Sequence, residues 1–152
     1  MGRPYKKKVA ACILRKNSTG QDELLVHFFG DDLSLPPRLP GGGAKPDETP
    51  EAAIFREILE ETGLTQSDLH LVRKLGVSHY FKSFIQADVE RHDFLLRVPD
   101  TWPDEWSHFV TGGGEDEGAC FLFRWLDQDE FGLIDPEHHT FLTSEHIPEL
   151  FK

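Results

Sequence analysis

Glu57, Glu60 and Glu61 fall close together in the segment GGAKPDETPEAAIFREILEETGL, residues 42–64. Positions i, i+3 and i+4 of a helix are neighbours, so three ionised carboxylates at this spacing repel one another. Either a pKa rises or a divalent cation neutralises the set. Hard oxygen donors of this kind favour Mg²⁺, with Mn²⁺ as the alternative. The bland reading is a solvated acidic face, since 27 Asp plus Glu in 152 residues cluster somewhere by chance.

A helix must hold these residues, and the flanking sequence specifies one over Pro50 to Thr62. Thr49 suits the N-cap, Pro50 the first helical position and Gly63 the left-handed position after the last turn. At about 100° per residue, Ala52, Phe55, Ile58, Leu59 and Thr62 are expected to pack, with Glu57, Glu60 and Glu61 nearly opposite.

The acids do not stand alone. Gly42, Glu48, Arg56, Glu57, Ile58, Glu60, Glu61, Gly63 and Leu64 fit G-x5-E-x7-R-E-U-x-E-E-x-G-U, where U is a bulky aliphatic residue. At ordinary residue frequencies a full match in a chain of this size arises by chance on the order of once in 10 million. The chain therefore resembles the Nudix hydrolases, which cleave nucleoside diphosphates linked to another moiety. The resemblance implies an α/β fold, specifically a single-domain α/β/α sandwich with a central mixed β-sheet over residues 1–152. It implies that Glu57, Glu60 and Glu61 ligate the metal, Glu57 and Glu61 foremost, and that a backbone carbonyl at Gly42 completes the shell. A residue without a side chain lets the backbone approach an ion. Arg56 and Glu48 correspond to the pair that orients this machinery.

The chemistry expected is attack of water on phosphorus. A phosphoanhydride is shielded by its own negative charge, which a bound Mg²⁺ screens while lowering the pKa of water. A general base takes the proton, and in many Nudix enzymes it is a glutamate on a downstream loop. TGGGEDEG, residues 111–118, supplies Glu115 first, then Glu117, with Asp116 third; Glu60 is the candidate within the helix, and an ordinary Gly-rich turn is the alternative reading of the loop. Arg38 upstream of the glycines could meet a phosphate, and His79 and His92 could line a substrate pocket, with Tyr80 and Phe81 as stacking candidates. Each of these is also an ordinary core or surface type. His138, His139 and His146 show no zinc-type spacing.

Composition bounds the rest. The chain is long enough for one core without disulfides. Cys12 and Cys120 sit in apolar runs, as buried reduced thiols do, and no signal or membrane-spanning segment is evident, so a cytoplasmic protein without a membrane partner is expected, as monomer or homodimer. A net charge of −11 opposes nucleic-acid binding, so the expected partner is a small nucleotide-like molecule and Arg3, Lys6, Lys7 and Lys8 form a solvated arm. Strands are expected at Val9 to Arg15, Leu24 to Phe29, Gly76 to Phe81, Phe84 to Val89, His92 to Val98 and Ala119 to Leu126, with a helical stretch from Pro136 to Leu142. In the strand at His92, the residues His92, Phe94, Leu96 and Val98 share one face and Arg91, Asp93, Leu95 and Arg97 the other. Two other functions fit such a chain: a catalytically silent nucleotide-binding regulator, which would be expected to lack a motif acid, and a capped-RNA pyrophosphohydrolase using the N-terminal cations.

Overall fold

The computed structural model describes residues 4–114 and 116–151. Among these, seven strands form one sheet: β1 Tyr5–Lys16, β2 Asp22–Phe29, β3 Gly41–Gly43, β4 His70–Lys82, β5 Ala87–Arg97, β6 Glu105–Phe109 and β7 Cys120–Leu126. Their order is β4-β5-β1-β2-β7-β6, with β3 also on β1. β1 and β5 run parallel and the other pairs antiparallel, so the sheet is mixed.

β1 is buried on both faces, which explains its unbroken apolar run. Val9, Ala11 and Ile13 meet α1 Pro50–Thr62, the single α-helix among the described residues, together with Ile54, Ile58 and Phe94, whereas Cys12 and Leu14 pack on the opposite side with Leu95, Phe131 and Ile147. Phe94, Leu96 and Val98 face α1 while Leu95 faces away, as the alternation around His92 predicts. The second outer layer is made of short 3-10 turns at Gln128–Leu133, Pro136–His138 and Pro148–Leu150. The expected helix from Pro136 to Leu142 is thus only one such turn. Seven residues including two His and a β-branched Thr do not sustain an isolated helix.

The feature that builds the site is a split in the sheet. β1 and β2 pair only from Leu14–Leu24 to Lys16–Asp22 and then diverge. A strap of residues 38–43 fills the gap: Arg38 bridges to His27 of β2, the Ala11 N–H donates to the Pro40 carbonyl at 2.8 Å, and Gly41–Gly43 pair with Lys8–Ala10. A Cβ on Gly41 would stand 2.2 Å from the Val9 carbonyl oxygen, so the strap needs glycine to lie this close.

Several sequence expectations require correction. The strands expected at Phe84 to Val89 and His92 to Val98 are one strand, β5. Asp88, Glu90 and Arg91 resemble a break but alternate within a paired ladder, while Phe84 sits outside it, 92% exposed in a turn. β4 begins at His70 rather than Gly76, and β3 and β6 are additions to the expected strands; three glycines carry no strand propensity, and β6 is short and largely exposed. Lys6, Lys7 and Lys8 are not an arm, because they belong to β1 and pair with β5; Arg3 lies outside the described residues. Cys12 and Cys120 are free thiols, the first buried and the second half-buried. No helix among the described residues is long and apolar enough to cross a membrane.

The helix face is also corrected. Ala52 and Leu59 are exposed, and the buried positions are Ala53, Ile54, Ile58, Glu61 and Thr62. Glu61 follows Ile54 by seven residues and Ile58 by three, so it continues the buried stripe rather than opposing it.

Candidate active site

α1 is held at both ends by its own sequence. The Thr49 hydroxyl accepts the Ala52 N–H at 3.1 Å, and Gly63, at φ 82°, donates its N–H to the Leu59 carbonyl at 3.1 Å. The Trp106 indole N–H of β6 donates to the Thr62 carbonyl at 3.1 Å, tying the last turn to the sheet edge.

Glu61 is 4% exposed and accepts the Gly41 N–H at 2.8 Å, so the strap through the split sheet fixes its carboxylate. Gly42 abuts Glu57: a Cβ there would lie 2.6–2.9 Å from the Glu57 carboxylate atoms. Arg56 gathers the other acids. Its Nε and Nη2 donate to the two Glu48 oxygens at 2.6 and 2.8 Å, and Nη2 also donates to the Gly43 carbonyl at 2.9 Å. Its Nη1 donates to Glu57 at 3.1 Å and to Glu60 at 3.0 Å. The motif residues Gly42, Glu48, Arg56, Glu57, Glu60 and Glu61 are therefore brought together.

Arg56 answers part of the repulsion that the spacing predicts, a cation that the residue spacing alone does not assign to Glu57. Glu61 answers the rest by titration. Burial, then the charges of Glu57 and Asp116, push its carboxyl well above the usual range, and burial together with Glu60 raises Glu57 despite Arg56. Among the described residues no three His, Cys, Asp or Glu side chains stand close enough to hold a metal ion as they are, with Glu57 and Glu60 drawn onto Arg56.

Glu48 behaves in the opposite sense: the Arg56 hydrogen bonds hold it down at about 2, against an ordinary 4.5. A depressed carboxyl contributes stability fully present above its unfolded pKa and lost as pH falls through its folded one. The melting-temperature gap between wild type and Glu48→Gln should therefore be constant above pH 4.5 and close as pH falls toward about 2. A gap that does not change with pH in thermal melts would remove this pair from acid stability.

The loop at 111–118 reaches the same place. The Thr111 N–H donates to the Glu60 carbonyl at 3.0 Å. Gly112, at φ 99°, lies so close that a Cβ would sit 2.1 Å from a Glu60 carboxylate oxygen. Asp116 is near enough for its charge to raise Glu61, Glu117 is exposed, and Glu115 lies outside the described residues.

A NUDIX domain family model matches residues 6–145. The chain belongs to the Nudix family. It is 34% identical over 116 residues to diphosphoinositol polyphosphate phosphohydrolase 3-alpha of Mus musculus, an alignment covering 73% of this chain and 62% of that protein. The chain thus spans less than two thirds of the mouse relative's length. An RNA pyrophosphohydrolase of Hydrogenovibrio crunogenus is 42% identical over 55 residues, 36% of this chain and 30% of that protein. Among solved structures, a NUDIX hydrolase from Nitrosomonas europaea matches with a TM-score of 0.62 at 21% identity, covering 96% of this chain and 87% of that one. C. elegans Ap4A hydrolase matches with a TM-score of 0.62 at 18% identity, covering 88% and 89%. The two structural likenesses establish a shared fold, the mixed-sheet α/β sandwich of Nudix hydrolases.

The Nudix residues suit a divalent cation: their carboxylates are hard oxygen donors, and the absence of a side chain at Gly42 lets the Glu57 carboxylate lie against the strap backbone. The three side chains proposed from sequence to meet substrate are not brought to one place. His79 and His92 both stand on Glu90, at 3.7 and 2.5 Å, on the α1 face. Lys74 lies 2.6 Å from the other nitrogen of His92. Arg38 instead pairs with Glu137 at 2.9 Å beside the buried His138. Glu137, Lys82 and Arg91 carry no signal as a group in the sequence, because they are scattered over β4, β5 and the C-terminal layer; of their neighbours, Arg38 and Tyr80, which donates to Glu137 at 2.8 Å, are the two expected near substrate.

Proposed function

We propose that the chain is a divalent-metal-dependent hydrolase that cleaves a phosphoanhydride in a small nucleotide-like diphosphate derivative. The observation that carries this reading is Glu61, buried beside Glu57 and pinned by the Gly41 N–H, within a complete Nudix motif. Glu57 and Glu61, with Glu60 and the Gly42 backbone, are the groups that would hold Mg²⁺ or Mn²⁺; when bound, such an ion screens the phosphate charge and acidifies water. Arg56 keeps Glu57 and Glu60 oriented, and an acid of the 111–118 loop takes the proton from the attacking water.

The mouse relative acts on a diphosphoinositol polyphosphate by its name, so densely phosphorylated cyclitols belong in the substrate class to be tested beside dinucleoside polyphosphates, nucleoside diphosphate sugars and nucleoside triphosphates. The RNA pyrophosphohydrolase matches 55 residues only, and the net charge of −11 opposes a polyanion. Incubation of such a panel with Mg²⁺, with products separated by ion exchange, should show cleavage of at least one small anhydride that chelation abolishes. No cleavage of any member would refute the hydrolase reading. Inhibition by long RNA at submicromolar concentration, relieved by Lys6→Gln and Lys7→Gln, which keep β1 paired, would move the substrate to capped RNA.

A further inference from the structure

On the face of the sheet away from α1, donors from three parts of the chain converge on Glu137. Glu137 Oε2 accepts from Arg38 Nη2 at 2.9 Å and Lys82 Nζ at 3.1 Å, and Oε1 accepts from the Tyr80 hydroxyl at 2.8 Å. Arg91 Nη1 donates to the Glu137 carbonyl at 2.7 Å. Burial raises the Glu137 pKa, but the bonds from Tyr80 and Lys82 and the charge of Arg38 outweigh it, so the carboxylate is ionised.

His138 distinguishes this cluster from a simple knot of ion pairs. Its Nδ1 accepts the Leu39 N–H at 2.8 Å, and burial keeps the ring neutral. A neutral imidazole that accepts at Nδ1 carries its proton on Nε2. That Nε2–H stands 3.2 Å from Arg38 Nη2, which itself has only protons to offer. Two donors face one another and neither can satisfy the other. Arg38 Nε is also buried without a hydrogen-bond partner among the described residues, its nearest acid being Asp135 at 3.6 Å. Buried donors without an acceptor are costly, and both oxygens of Glu137 are already engaged.

We infer that Arg38, Lys82 and His138 form an anion-binding subsite for a second phosphate of the substrate, and that Glu137 holds its place in the free protein. A phosphate brings more acceptor oxygens than a carboxylate, enough to take the Arg38 Nε and His138 Nε2–H donors as well. The location supports the assignment. Arg38 begins the strap whose Gly41 N–H holds Glu61, and an extended chain of three residues spans about 10 Å. A substrate anchored here places a distant anhydride at the Nudix helix, so the favoured class is a diphosphate derivative with a further phosphate remote from the scissile bond. The identity of the ligand rests on the hydrolase reading; the donor geometry does not.

The test uses the whole chain in chelator, with inorganic phosphate as the probe and the side-chain resonances of His138 as the readout. Phosphate should shift those resonances in wild type. Arg38→Gln should weaken binding by about tenfold or more, and Glu137→Gln, which removes the competing charge while keeping its shape, should tighten it about fivefold. Lys82→Gln, on the outermost strand, should weaken binding about threefold or more and provides a reading should Glu137→Gln fail to fold. Phosphate shifts confined to α1, or affinities that neither Arg38→Gln nor Lys82→Gln alters, would overturn the subsite. Because metal is chelated and no turnover is measured, a protein without hydrolase activity cannot imitate either outcome.

Discussion

Glu57→Gln and Glu61→Gln should each lower turnover at least about a hundredfold while leaving the folded protein intact. Both substitutions keep shape and remove charge, so they separate a need for anionic oxygen from a need for packing. Glu61 is the sharper case, because it is buried in the helix stripe beside Ile54 and Ile58, where the Gly41 N–H is its hydrogen-bond donor. Burial and neighbouring charge already disfavour its ionised form, so Glu61→Gln should hold or raise the melting temperature even as activity disappears. A stable variant that has lost activity is the signature of a residue kept for function at a cost to the fold. Near wild-type turnover in either variant, measured at saturating Mg²⁺, would remove the metal-ligand assignment.

Loss of the loop's base should cost on the order of 10²-fold to 10⁴-fold in turnover with little change in metal affinity. Glu115→Gln is the first variant to make, with Asp116→Asn and Glu117→Gln beside it. Asp116 gains weight from the structure, since its charge reaches Glu61, although it is exposed, as is Glu117. Gly112→Ala provides an independent check on the loop's position. A Cβ there would meet the Glu60 carboxylate at 2.1 Å, and a φ of 99° is strained for alanine, so the loop must move. Turnover should then fall about tenfold or more even with all three acids present. If the three acid variants all retain full activity at neutral pH, the proton goes to the helix, with Glu60 next in line.

The Nudix helix is legible in the sequence because its signals are local. Thr49, Pro50 and Gly63 act within one turn of themselves, and they occupy the N-cap, first and C-terminal cap positions expected of them. Its orientation is not legible there. Apolar residues at Ala52 and Leu59 suggest a buried face, but which stripe meets the sheet depends on Val9, Ala11, Ile13 and Phe94 of distant strands. The same limit applies to β5, whose polar residues read as a break until pairing with β4 and β1 supplies partners on both sides.

The sequence by itself determined the family, the helix and the six motif residues gathered around it, since a fixed spacing on one helix and its preceding loop is a property of the chain alone. The tertiary structure decided which of those acids is buried, because the split between β1 and β2 sends Gly41 across to Glu61, twenty residues away. It also decided that Arg38 does not share a surface with His79 and His92 but meets Glu137 and His138, 99 and 100 residues further on. Contacts of that range depend on the register of one element against another, and no periodicity within either element records it.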